Sequence, residues 1–326
     1  MFLHINMGKV QLLSPYFLKS GVLLMRNKKR VLLKRAIPLY FMLLIPLAWI
    51  AVFQYIPIGG NVIAFKNYNV FRGIWSSDWV GLAHFRSFLT DEYFWQVLKN
   101  TVRLGAYNLI FNFPAPIILA LLINEVRSKK YKKLVQTVSY MPYFISMVAL
   151  ASIMIALLSP SVGIVNKIMA SIGFEKINFY ALPKYFPAIY ILLIMWQSLG
   201  WGTIVYLAAM AGVDTQMYDA AAIDGAGRLR VMRSITLPSI LPVISIMFIL
   251  STPGILDANF DVVLLLQLPT NFSVSDVVPS YVYRRGIGNQ IFDYSTAVSL
   301  AFSVVKLVVI LGVNRIATKL SGSGLW

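Results

Sequence analysis

Six stretches of this chain stay apolar for about 20 residues each, the length an α-helix needs to cross the hydrocarbon core of a bilayer. They fall at residues 36–58, 100–123, 134–158, 186–210, 237–256 and 294–313. Lipid offers no water to satisfy backbone N–H and C=O groups, so a run of this length spans as a helix, whose hydrogen bonds are internal. Only 13% of the residues are charged, against about 25% in a soluble domain. The expected fold class is therefore all-α and integral to the membrane, with about six transmembrane helices. Pro114, Pro116 and Pro253 fall inside spans, where neighbouring helices can satisfy the backbone groups a proline frees. Between the spans, FDVVLLLQLP (260–269) is too short to cross and reads as a re-entrant or interfacial piece buried in protein. In the 59–98 loop, WVGLAHFRSFL is apolar at helical spacing and reads as a short amphipathic helix.

The flanks set the orientation, because lysine and arginine favour the cytoplasmic side. Residues 1–35 hold eight basic and no acidic residues; the loop EVRSKKYKK (125–133) holds five and one. Arg228, Arg230 and Arg233 follow in the next loop on that side, and Arg315 and Lys319 lie near the C-terminus. Together 18 of the 29 basic residues gather on one side, whereas the opposite loops, 59–98 and 257–293, are balanced or acidic. Both termini are expected in the cytoplasm. The domain reading is a basic extension over 1–35, a six-helix membrane domain over 36–318 and a short tail over 319–326. Residues 1–24 lack a signal peptide's order of charged start, apolar centre and small-residue cleavage site. The net charge of +17 follows from this topology and from attraction to anionic lipid heads, so no nucleic-acid partner is expected.

Several chemistries drop out. Cysteine is absent and the two histidines, His4 and His84, stand far apart. No thiolate or clustered-histidine metal site is expected, and no nucleophile–base set stands out. No G-x-x-x-x-G-K-[ST] run occurs, so the chain carries no P-loop.

The most polar run of the second half is YDAAAIDGAGRLRVMRSITLP, 218–238. Tyr218 to Ile223 suits a helix, with Ala220, Ala221 and Ala222 offering a small, flat face. Asp224-Gly225 signals a turn, since glycine tolerates positive φ. A second helical piece is expected over Arg228–Ile235, and Pro238 suits the first turn of the next span. The object is a helix–turn–helix within a loop of about 212–238, across the cytoplasmic mouth of the bundle.

DAAAIDGA-x8-ITLP resembles the EAA loop of ABC importer permeases, roughly EAA-x2-DGA, a spacer, then I-x-LP. Ala220, Ala221, Asp224, Gly225, Ala226, Ile235, Leu237 and Pro238 match, and Asp219 stands where the family has Glu. The stretch NTVRLGAYNLIFNFPAPIILALLINEVRSKKYKKLVQTVSYMPYFIS is similar to MalF-like carbohydrate permeases, within them the LplB-type branch that accompanies polysaccharide degradation. The resemblance implies the type I importer fold, a bacterial inner-membrane location and a non-catalytic subunit moving oligo- or polysaccharide, acidic alginate-like polymers included, by alternating access. It implies as partners a second homologous permease, two ATP-binding subunits and an extracytoplasmic solute-binding protein. ATP and Mg would sit on the ATP-binding subunits, with no cofactor on this chain. Tyr218, Asp219, Ala220, Ala221, Ala222, Asp224, Gly225, Ala226, Leu237 and Pro238 would form the coupling contact with an ATPase.

A sugar is held by planar polar groups and aromatic faces in a concave site. Residues of that kind in or beside spans are Asn108, Asn112, Tyr140, Tyr143, Trp196, Gln197, Trp201 and Asn259; amides and aromatics also pack helices together. For an acidic sugar, Arg103, Lys306, Arg284 and Arg285 could supply a cation, but interfacial snorkelling or pairing with Asp257, Asp261 or Asp293 also accounts for them. Two other functions compete. A permease for peptides or amino acids would share the fold, and an ion-gradient transporter would carry paired acids within spans.

Overall fold

The computed structural model describes residues 36–321; the basic extension and the last five residues lie outside the described residues. The chain divides into two units, residues 1–61 and 62–326. The apolar helical run Ala36–Phe65 (α1) makes up the described part of the first unit and continues into the first residues of the second; none of its most apolar window is buried. A helix hydrophobic all round has no water-facing stripe, which suits lipid.

The second unit opens with a two-stranded antiparallel ribbon, β1 (Lys66–Asn67) and β2 (Asp78–Trp79), which sequence reasoning did not anticipate. The expected amphipathic helix follows as α2 (Ala83–Thr90), with Phe88 buried. Then come α3 (Glu92–Asn124), α4 (Lys129–Tyr140), α5 (Met147–Leu158), α6 (Pro183–Ala211), α7 (Thr215–Ile223), α8 (Arg228–Ile255), α9 (Phe260–Leu266) and α10 (Phe292–Ser321). Among the described residues five helices, α1, α3, α6, α8 and α10, are long and apolar enough to span.

The third expected span, 134–158, is not a straight crossing. It is broken between Phe144 and Met147, where its halves meet at 102°. Hydropathy is blind to the cause, which is local chemistry. Pro142 lies in a 3-10 turn over Met141–Phe144, Ile145 is extended (ψ 136°), and the Ser146 hydroxyl accepts from the Ala149 N–H at 3.3 Å to start α5. The carbonyl of Ile145 is satisfied from α6, where Gln197 Nε2 donates to it at 3.2 Å.

Proline leaves a second mark. Residues 51–55, 108–112 and 232–236 are widened π turns, and Pro57, Pro114 and Pro238 each follow two residues later. A proline gives no N–H to the carbonyl four residues back and crowds it; widening the turn makes room without ending the helix.

Small residues bring the helices together. A Cβ on Gly200 would lie 2.0 Å from the carbonyl oxygen of Ser139, and one on Gly105 the same distance from that of Ile255. Those two contacts seat α4 against α6 and the end of α8 against α3. Ile117, Ala120, Tyr206, Met210 and Ile240 form an apolar cluster joining α3, α6 and α8. The short apolar segment expected to be buried in protein contains α9, seven residues long, with Val262, Val263 and Leu266 fully buried.

Candidate functional site

Two sites emerge, one at the 212–238 loop and one between the long helices. In the loop, Asp214 Oδ1 caps α7 by accepting from the Gln216 N–H at 2.9 Å. The helix ends where Gly225 turns left-handed at φ +67°. The Gly225 N–H bonds the Ala222 carbonyl at 3.2 Å and the Ala226 N–H bonds that of Ala221 at 2.9 Å, closing the turn. The Asp-Gly turn and its positive φ are as the sequence reads. Two details differ. The second helical piece is not separate: from Arg228 it runs without interruption into α8, so loop and span are one lever. The three alanines do not share a face, because successive residues on a helix point about 100° apart. Ala221 is buried against the loop, while Ala220, Ala222 and Ile223 face outward with Asp219 and Asp224. Tyr218 is tied to the root of α8 by a 3.2 Å hydroxyl contact with Thr236. Leu237 packs in the α3–α6–α8 cluster and Pro238 follows the π turn.

The second site is a cavity of about 420 Å³ between α3, α6 and the far half of α8. From α3 it takes Gly105, Asn108, Asn112 and Pro116, positions at helical spacing on one face; from α6, Ser198, Trp201 and Gly202; from α8, Met247, Ser251 and Gly254. Asn112 Nδ2 donates to Asn108 Oδ1 at 2.6 Å, and Asn112 Oδ1 is buried with no hydrogen-bond partner among the described residues. Trp201 is stacked face to face on Tyr143, with ring centroids 4.3 Å apart and planes 4° from parallel. Thus Asn108, Asn112 and Trp201 are brought together, with Tyr143 behind. Trp196 instead packs in the core around α6, Gln197 braces the α4–α5 break, and the Asn259 carbonyl accepts from Val263 at the start of α9. Tyr140 is not in the cavity wall. Sequence reasoning missed Ser198, Ser251 and the three glycines; the period of 3 to 4 on α3 and α6 was the available signal.

The four cations named from the sequence do not line the cavity. Arg103 donates to Asn100 Oδ1 and the Val274 carbonyl, both at 3.3 Å. Arg284 is paired with Asp276, a partner the sequence reading did not name. Its Nη1 and Nη2 reach the two carboxylate oxygens at 3.1 and 2.5 Å. That bidentate bond pushes the guanidinium pKa still higher, so Arg284 stays charged. Asp276 is fully buried; it also accepts from Tyr93, Gln267 and Ser280, and its carbonyl accepts from Asn100. Arg285 lies over the Tyr281 and Tyr294 rings. Lys306 is paired with Asp257.

A bundle of apolar spans broken by prolines, with a mostly apolar cavity that carries two asparagines, two serines and Trp201 and is walled in part by the helix that begins at a short Asp-Gly loop, has the architecture of a transport permease. Residues 112–322 match the family model described as binding-protein-dependent transport system inner membrane component, and the chain belongs to that family. It is a multi-pass inner-membrane component. It is 43% identical over 310 residues to the polygalacturonan/rhamnogalacturonan transport system permease protein YteP of Bacillus subtilis, covering 94% of this chain and 97% of that protein. Protein LplB of the same organism is 42% identical over 294 residues, 90% of this chain and 92% of that one. Among solved structures, the crystal structure of a bacterial alginate ABC transporter in complex with an alginate pentasaccharide-bound periplasmic protein has a chain that matches with a TM-score of 0.83. There the identity is 38%, over 90% of this chain and 98% of that chain. The fold is that of type I ABC importer permeases.

Proposed function

We propose that this chain is the sugar-conducting subunit of an ATP-driven importer whose substrate is an oligosaccharide built from uronic acids. The observation that carries the reading is the cavity: Asn108, Asn112, Ser198 and Ser251 give amide and hydroxyl groups beside the Trp201–Tyr143 stack. That combination suits a sugar, whose hydroxyls need planar partners and whose ring faces need an aromatic surface. The uronic-acid class is supported by the substrates in the names of the similar proteins, polygalacturonan and alginate.

In this reading the 212–238 loop, on the cytoplasmic side, docks on a separate ATP-binding subunit, where ATP and Mg reside. A second homologous permease completes the pathway, and a solute-binding protein delivers sugar from outside. Closure of the ATPases moves α7, and because the Gly225 turn ties α7 to the arm that runs from Arg228 into α8, the motion reaches Ser251 and Gly254 at the cavity wall. The result is alternating access by rocking of helix groups around the site.

The test is a gentle-detergent pull-down of the tagged chain from its host, with mass spectrometry of the co-purified proteins, followed by reconstitution into vesicles. Recovery of a P-loop ATPase and a second permease, with ATP-dependent uptake of oligogalacturonate delivered by the neighbouring binding protein, is expected. A chain that comes out alone and transports on an ion gradient would sink the reading.

A further inference from the structure

Lys306 occupies an unusual place. It lies 14 residues into the apolar span Phe292–Lys319, about 21 Å along a helix of about 42 Å, so it sits near the middle of the membrane. Its ammonium is bonded to Asp257, and the pair is not sealed inside the protein: the two side chains are 28% and 52% exposed. A charged pair at that depth is costly against lipid and belongs on a water-filled path or against another subunit.

The backbone around Asp257 is irregular. The α8 helix closes in a 3-10 turn at Thr252–Ile255, and Ala258 and Asn259 then follow in the left-handed region at φ +43° and +34°. Neither is glycine, and such residues cluster at ligand clamps because surrounding structure must hold them there. Gly254 and Ile255, two and three residues before Asp257, are in the wall of the 420 Å³ cavity. Asp257 thus follows the cavity wall by two residues, on an irregular turn of the kind transporters tolerate where backbone lines a cavity, although neither member of the pair is itself in that wall.

We propose that Lys306 is the carboxylate-recognising residue of the pathway, and that Asp257 holds its ammonium in place until a uronate carboxylate takes over the bond. The inference rests on the uronic-acid reading above. An ammonium has three N–H donors and only one is committed to Asp257, so the sugar can engage before the aspartate lets go. The other cations named from the sequence are engaged elsewhere: Arg284 is paired with Asp276, Arg285 lies over two tyrosine rings and Arg103 donates to Asn100 and a backbone carbonyl. The cavity itself would contact the neutral parts of the sugar, and Lys306 would supply the charge discrimination.

The chain has no cysteine, which allows a direct experiment on the co-purified complex in vesicles. Uptake of trigalacturonate and of its fully methyl-esterified form is compared for the wild type, Lys306→Cys, Lys306→Arg and Asp257→Asn. The wild type is expected to prefer the acid. Lys306→Cys should lose that preference by roughly ten- to a hundredfold, the worth of one charged hydrogen bond. Treatment with aminoethyl methanethiosulfonate, which restores a cation on the thiol, should recover it, while the neutral methyl reagent should not. Lys306→Arg should keep the preference, and Asp257→Asn should lower KM for the acid alone. An assembled Lys306→Cys complex with an unchanged preference would overturn the role of Lys306. Should Lys306→Cys fail to assemble, an Asp257→Asn complex with an unchanged KM for the acid would overturn it equally. Wild-type vesicles that take up neither sugar, or both alike, would instead overturn the uronic-acid reading.

Discussion

Gly225 is the hinge on which the loop's shape depends, and its environment allows the effect of changing it to be worked out. Its φ is +67°, and a Cβ built there would meet nothing within 4 Å. Crowding is therefore not the issue; the penalty is the intrinsic one. An L-residue held left-handed costs about 1–2 kcal/mol, and a β-branched residue costs more. For Gly225→Ala, that shifts the balance between closed and opened loop by a factor of roughly 5–30. The turn bonds from Gly225 and Ala226 to Ala222 and Ala221 are what opening breaks, and the outward face of α7 would then lose its fixed orientation to the start of α8. Because α8 begins three residues later, the distortion would feed into the span. Gly225→Ala should therefore assemble in the membrane yet lose most of its uptake per ATP hydrolysed, and Gly225→Val should lose nearly all. Gly225→Asn is the control, since asparagine tolerates the left-handed region, and it should retain most coupling. Uptake and ATPase rates measured on the same reconstituted vesicles give the ratio. If Ala, Val and Asn variants all couple like the wild type, the positive-φ turn has no part in coupling. If Asn fails as badly as Val, a side chain of any kind is what the docking surface rejects, and the backbone argument is refuted.

Three further outcomes follow from the packing. Asp276→Ala strips Arg284 of its partner along with acceptors for Tyr93, Gln267 and Ser280, and should cost about 3–5 kcal/mol; a detergent melting curve indistinguishable from the wild type would contradict this. Gly105→Ala forces a methyl group against the Ile255 carbonyl, 2.0 Å away in the present backbone; α8 must shift away from α3, lowering thermal stability and uptake together, whereas Gly254→Ala, with open space around it, should melt like the wild type. Trp201→Leu removes the ring stacked on Tyr143 and should raise the KM for sugar while leaving ATP hydrolysis unaltered; an unchanged KM would remove the aromatic stack from the sugar's path.

Much of the architecture was legible in the sequence because lipid enforces a simple rule. Spans must be long, apolar and helical, so α1, α3, α6, α8 and α10 announce themselves by hydropathy, and α9 by being too short. The Asp-Gly turn was legible too, because glycine is the residue a left-handed position selects. The break in the fourth and fifth helices was not. Pro142 and Ser146 sit within an otherwise apolar run, and a window average conceals what a proline and a capping serine do to the chain. The site was legible only in part. Asn108, Asn112 and Trp201 could be chosen as polar or aromatic side chains in apolar helices, but so could Gln197 and Trp196, which face a broken turn and a packed core. Residue type is common to both groups, and direction is not.

The sequence alone therefore determined the solvent in which this protein folds, the number of apolar segments and the chemistry of its Asp-Gly loop. Each of these depends on local composition or on a single backbone preference. Only the tertiary structure decided which side chains share a cavity, that Arg284 belongs to Asp276, and that Lys306 meets Asp257 across 49 positions of chain. Such pairings depend on how helices rotate and how closely they approach. Glycines that admit a neighbour's carbonyl, and prolines that widen a turn, set that geometry between segments rather than within them.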